Sequence, residues 1–62
     1  MQHYITTLRV TLPGEKPYTF QLCSEHSSDI AAHINAQKLR LEALRDNVKG
    51  TRVRVQGVAS VH

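Results

Sequence analysis

Residues 28–47 have the sequence SDIAAHINAQKLRLEALRDN, and their pattern predicts one long amphipathic helix. Side chains that suit a buried stripe recur at alternating spacings of four and three, as expected for one face of a 3.6-residue helix. The stripe comprises Ile30, Ile34, Gln37, Leu41, Leu44 and Val48. Residues 37–47 contain no glycine, proline or β-branched residue, and strong helix formers dominate them. We therefore predict that this stripe packs on the rest of the chain.

Three segments with period-two alternation flank the helix and predict β-strands. Residues 4–11 and 18–23 precede it, and residues 51–56 follow it. The compact arrangement of this ββαβ order is an α+β fold, in which the helix covers one face of a three-stranded antiparallel sheet. We place the first strand in the middle of the sheet. The predicted core comprises Leu8, Val10, Tyr18, Phe20, Leu22, Ile30, Ile34, Leu41, Leu44, Val53 and Val55.

An alternative ββαββ arrangement with a shorter helix arises because residues 38–44 also alternate between apolar and polar side chains. That segment lacks the β-branched and aromatic residues typical of strands, which favours the single long helix.

Local signals fix the ends of these elements. Pro13-Gly14 suits the two central positions of a type II turn between the first two strands. Ser27 or Ser28 can accept a hydrogen bond at the helix start, and Asn47 and Gly50 are typical of a helix end.

The chain of 62 residues is predicted to form one small domain, 1–62, with residues 57–62 as an alternative frayed tail. Cys23 is its single cysteine, which excludes an intrachain disulfide and favours a reducing compartment. The N-terminus has no signal-peptide pattern, and no apolar run approaches the roughly 20 residues of a membrane span. We therefore expect a cytoplasmic protein with no membrane partner.

A second stripe on the helix predicts a docking surface for another protein. A helix of about 20 residues spans roughly 30 Å, whereas a six-residue strand spans roughly 20 Å, so the helix should extend beyond the sheet. Small residues on a second face would let another helix approach closely. These residues are Ala32, Ala36, Leu39 and Ala43. We predict that they mediate homodimerisation or docking to another protein.

Combinations of residues that could support catalysis or metal binding are weak. Cys23, His26 and His33, with His3 as a fourth ligand, do not have the spacing of a familiar zinc site. Cys23 and His26 are close enough in sequence for a nucleophile–base pair, but so short a chain rarely encloses a site that excludes water. We therefore expect no enzyme activity, no metal, no cofactor and no small-molecule substrate.

Basic residues concentrate in the C-terminal half. Residues 38–54 carry six of the eight lysines and arginines, and the net charge of the chain is +3. If the third strand pairs with the first, Arg9, Arg52 and Arg54 meet on the outward face of the sheet, where arginine can bind phosphate oxygens. The face lacks aromatic residues for base stacking.

The favoured function is that of a binding or regulatory module acting through protein–protein interaction or self-association. The alternative is a nucleic-acid-binding accessory protein that uses Arg9, Arg52 and Arg54. In length and charge the chain resembles the short accessory proteins of bacterial phages and plasmids, although no motif carries this resemblance.

Overall fold

The computed structural model describes residues 1–61, and its elements follow the predicted ββαβ order. They are β1 (Gln2–Thr11), β2 (Tyr18–His26), α1 (Asp29–Asp46) and β3 (Arg52–Val61). The helix runs unbroken through residues 38–44, so the alternative ββαββ arrangement is wrong. β3 continues to Val61, which places residues 57–61 in the sheet, and His62 lies outside the described residues.

The three strands form one antiparallel sheet in the order β2-β1-β3, which confirms the central position of β1. Cα partners in an antiparallel pair project their side chains to the same side of the sheet. The even-numbered residues of β1 and β2 face the helix, and the odd-numbered residues face away from it. The sheet thus has one covered face and one face with no element of residues 1–61 packed on it.

A β-bulge at Gln56 interrupts the pairing of β3 with β1. The register skips this residue, which therefore has no Cα partner on β1. Before the bulge the odd-numbered residues of β3 face the helix, and beyond it the even-numbered residues do. Ala59 and Val61, which would face the helix in a regular strand, lie on the outer face instead.

The predicted turn and cap residues have the expected roles. Gly14 has a φ of +74°, and the amide of Glu15 donates to the carbonyl of Leu12 at 3.1 Å, as in a type II turn. Ser28 caps the helix by accepting a hydrogen bond from the Ala31 amide at 3.2 Å. At the other end, the side chain of Asn47 donates to a carbonyl in the last helical turn.

The helix packs on the sheet through a different face from the predicted one. Ala32 and Ala36 are 0% and 1% exposed, whereas Ile30, Ile34 and Leu41 are 74%, 56% and 56% exposed. The prediction that these three residues belong to the core is therefore wrong. The core contains Leu8, Val10 and Val53, with Leu12, Phe20, Leu39, Ala43, Leu44 and Val55 packed against it.

The rest of the predicted core is partly confirmed. The structure buries Leu8, Val10 and Val53 and half-buries Phe20, Leu44 and Val55, as expected. Tyr18 and Leu22 were also predicted to be buried, and both are exposed. The reason is that α1 contacts β3 more extensively than β2, so the helix side of β2 is only partly covered.

A contact between Tyr4 and Asp29 explains the rotation of the helix. The Tyr4 hydroxyl donates to Asp29 Oδ1 at 2.7 Å, and its ring is buried under the helix. The hydrogen bond to the carboxylate, with burial, raises the pKa of Tyr4 above its usual 10.0. Asp29 shares a helix face with Ala32 and Ala36, so this bond requires that face to point toward the sheet. Alanine at these two positions lets the helix approach the sheet closely.

The predicted overhang of the helix is wrong because the strands are longer than expected. β1 and β3 have 10 residues each, and the helix has 18. At ordinary rises these lengths are roughly 33 Å and 27 Å, so the helix does not outreach the sheet. The result is a thin, two-layered molecule of 39 × 18 × 12 Å. Within residues 1–61 no helix has the length and hydropathy of a membrane span.

Thr6 offers a direct test of this packing. Its hydroxyl is buried and has no hydrogen-bond partner within residues 1–61. We expect Thr6→Val to raise the free energy of unfolding by about 1 kcal/mol, because a methyl group replaces an unsatisfied oxygen of similar size. Urea denaturation measures the change. The control is Thr7→Val on the outer face, for which we expect no gain; a destabilised Thr6→Val variant would contradict the burial of an unpaired hydroxyl.

Candidate anion-binding site

The outer face of the sheet brings together the three arginines singled out in the sequence. Arg9 on β1 and Arg54 on β3 are direct Cα partners, and Arg52 pairs with Thr11 one step further along. All three arginines are exposed. The predicted patch therefore exists as an arrangement of residues, because β3 pairs with β1 and all three side chains lie on the same side of the strands.

The three arginines line a shallow, open cavity of about 270 Å³. Its lining residues are Arg9, Thr11, Arg52, Val53 and Arg54. A cavity of this size accommodates a phosphate group with its water, and guanidinium groups can hold phosphate oxygens with two parallel hydrogen bonds. We call these three arginines and Thr11 the arginine cluster.

No carboxylate neutralises the arginine cluster within the described part of the chain. The ion pairs found there are His3–Glu25, at the other end of the sheet, and Arg45–Asp46 on the helix. Two cations directly opposite each other on neighbouring strands repel and destabilise the sheet. An anion placed between Arg9 and Arg54 would remove this repulsion, so the arrangement favours anion binding.

Two turns add positive charge at the same end of the molecule. Lys16 follows the Pro13-Gly14 turn, and Lys49 lies in the connection from α1 to β3. The two turns are adjacent, since a Cβ added at Gly50 would lie 3.2 Å from Pro13 Cγ. Glu15 is the acidic residue in these turns, so the charge at this end is clearly positive. The sequence prediction did not include either lysine, because only the contact between the turns places them together.

The predicted docking stripe lies inside the molecule. Ala32 and Ala36 are buried against the sheet, and Leu39 and Ala43 are half-buried against its core. A partner helix has no access to these side chains, so the prediction of a docking surface at this stripe is wrong. The small residues instead allow the close approach of α1 to its own sheet.

The residues considered for catalysis and metal binding are separated. Cys23 lies on the outer face of β2, whereas His26 faces the helix side, and His33 is exposed on α1. His26 Nε2 forms a 2.8 Å hydrogen bond with Ser24 Oγ, and its ring contacts the Tyr4 ring with centroids 5.8 Å apart. No three metal-binding side chains group together in residues 1–61. The Ser24–His26 pair therefore belongs to a local network beside the helix start.

Comparison with known proteins gives this chain no relative from which a function could be transferred. No protein family matches it, and neither a curated protein nor a solved structure is significantly similar. The functional proposal therefore rests on the geometry and charge of the arginine cluster.

Proposed function

We propose that the chain is a small, non-enzymatic module that binds the phosphate backbone of double-stranded DNA through its outer sheet face. The observation that carries the proposal is the arginine cluster, in which three arginines without a carboxylate partner in residues 1–61 line one open cavity. Backbone contacts of this kind supply most of the affinity in sequence-independent binding.

The residue types of this face favour a duplex over a single strand. The aromatic residues Tyr4, Tyr18 and Phe20 are all on the helix side of the sheet, so none is available to stack on an unpaired base. The three arginines lie on two neighbouring strands, β1 and β3, and the major groove of B-form DNA, which is about 12 Å wide, admits a two-stranded β-ribbon. The major groove of duplex RNA is deep and narrow and would not admit such a ribbon, which favours DNA.

The distribution of charge supports the approach of DNA to one end of the molecule. The cationic end carries Arg9, Arg52 and Arg54 with the two turn lysines. Its acidic residues are Glu15 and Asp46, and Asp46 forms an ion pair with Arg45. Glu25 and Asp29 lie at the other end of the molecule. Such a separation orients a module toward a polyanion before contact.

The exposed free thiol of Cys23 favours a reducing compartment, and we propose the cytoplasm as the site of action.

The test is fluorescence anisotropy with a short labelled DNA duplex at low salt. If three arginines contact phosphates, the binding constant should fall about 40-fold between about 50 and 200 mM salt, since each contact releases counterions. The double variant Arg52→Glu with Arg54→Glu should abolish binding at every salt concentration.

A matched control separates the cluster from net charge. Lys38→Glu with Arg45→Glu changes the net charge by the same amount on the opposite layer of the molecule, and we expect it to bind DNA nearly as well as the wild type. An equal loss of DNA affinity in both double variants would show that binding depends on net charge and not on the arginine cluster. Unchanged binding in the Arg52/Arg54 variant would exclude the arginine cluster as the site.

A further inference from the structure

The solvent face of α1 is an apolar surface that the arginine cluster does not use. Ile30, Ile34 and Leu41 are largely exposed on it, and Val48 just beyond the helix is 66% exposed. The molecule exposes 4591 Å², compared with about 4,000 Å² expected for a compact monomer of its mass. Its radius of gyration is 12.2 Å, compared with about 10.6 Å expected. Large apolar side chains exposed along one helix face of so open a molecule are typical of an interaction site.

The spacing of these residues suits another helix as the occupant. The alternating steps of four and three run through Ile30, Ile34, Gln37, Leu41 and Leu44 within the helix, which is the pattern of a and d positions in a coiled-coil heptad. Leu44 is half-buried against the core and forms the inner edge of this set, and Val48 adds an exposed apolar side chain just after the extended C-cap residue Asn47. We call this set the heptad stripe. Gln37 accepts a hydrogen bond from Arg40 Nε at 3.1 Å, which holds that arginine against the edge of the stripe.

The charges beside the heptad stripe define the partner. With Ile34 and Leu41 as a positions and Ile30, Gln37 and Leu44 as d positions, the flanking residues lie one before each a and one after each d. Within the helix they are Ala31, His33, Lys38, Arg40 and Arg45. Three of them are cations and none is acidic. Arg45 lies 3.5 Å from Asp46, but both side chains are largely exposed, so this ion pair contributes little and leaves Arg45 accessible.

We infer that the heptad stripe docks an amphipathic helix of another protein whose own flanking positions are acidic. A second copy of this chain does not fit the charges. In a parallel pair the residue before each a faces the residue five positions further on in the other copy, so Arg40 meets Arg45 and Lys38 meets His33. In an antiparallel pair like positions meet, so lysine or arginine faces its counterpart. Both orientations place cations together and supply no acidic partner. An acidic helix converts the same contacts into attraction. The proposal goes beyond DNA binding and uses the opposite layer of the molecule.

The experiment uses two synthetic three-heptad peptides that differ only in charge. Both carry leucine and isoleucine at a and d, one with glutamate and the other with lysine at all flanking positions. By fluorescence anisotropy, we expect the glutamate peptide to bind the full chain at least about ten-fold more tightly than the lysine peptide. Leu41→Glu should abolish binding while the circular dichroism spectrum stays unchanged. Equal affinity for the two peptides, or no binding of the glutamate peptide, would overturn the proposal.

A charge-reversed variant and the oligomeric state complete the test. Lys38→Glu with Arg45→Glu should reverse the preference toward the lysine peptide, whereas Arg52→Glu with Arg54→Glu should leave peptide binding unchanged. The two double variants thus separate this proposal from DNA binding. Sedimentation equilibrium should show a monomer; a dimer that Leu41→Glu dissociates would identify a second copy as the occupant and contradict the inference.

Discussion

Ala36→Glu is expected to unfold the chain, whereas Ile34→Glu is expected to leave it folded. Ala36 lies between α1 and the sheet, so a glutamate there adds volume and buries a carboxylate that has no partner. Overpacking and an unpaired buried charge together cost more than about 4 kcal/mol. A domain of 62 residues with so small a core is stable by only about 3–5 kcal/mol, so the folded state would be lost.

The Ile34 variant is the matched control for this prediction. Both substitutions introduce the same charge into the same helix, two residues apart, and both residues have ordinary helix propensity. Since Ile34 is exposed, its substitution should change the free energy of unfolding by about 0.5 kcal/mol or less. Thermal unfolding followed by circular dichroism distinguishes the two variants. If Ile34→Glu unfolded the chain and Ala36→Glu left it folded, the helix would have to pack on the sheet through the heptad stripe instead.

Leu8→Ala should also cause a large loss of stability. Leu8 is a fully buried side chain on the central strand and lies at the centre of the core with Val10 and Val53. Truncating a buried leucine costs about 2–5 kcal/mol, because the surrounding side chains fill the cavity only partly. That cost is comparable to the whole stability expected for a domain of this size.

Leu22→Ala provides the comparison for Leu8. Leu22 lies on the same side of the sheet but on the edge strand β2, and it is 36% exposed. The same truncation should therefore cost about 1 kcal/mol, in the ordinary range for a partly buried position. Urea denaturation at equilibrium measures both differences. In the structure the helix lies close to β3 and leaves β2 partly uncovered. An equal decrease in the free energy of unfolding for Leu8→Ala and Leu22→Ala would contradict that position of the helix.

The secondary structure could be predicted because its signals are local. Pro13-Gly14 determines a turn, Ser28 caps a helix, and strands and helix differ in the period of their apolar residues. The rotation of the helix could not be predicted in the same way. Both faces of α1 are apolar, and size favoured the isoleucines and leucines over the alanines. The deciding hydrogen bond joins Tyr4 to Asp29, 25 residues apart, and depends on the sheet being formed.

The candidate site was predictable to a different extent. The meeting of Arg9 with Arg52 and Arg54 followed from the strand order and the alternation of side chains, and the observed register confirms that arrangement. The docking surface was misplaced because it depended on the rotation of the helix. The heptad stripe had the right spacing for a contact between helices, but it was interpreted as core; its entirely non-acidic flanks were the available sign of a second partner.

If the outer face binds DNA as proposed, the bulge at Gln56 limits the length of duplex that the sheet can contact. It lies between the arginine cluster and the far part of the outer face, where the neighbours Ile5 and Ala59 are uncharged. The cationic part of β1 therefore runs only from Thr7 to Thr11, which is roughly 16 Å of strand. At 3.4 Å per base pair, a single module would have a footprint of about five base pairs. Longer sites would have to be covered by several modules side by side.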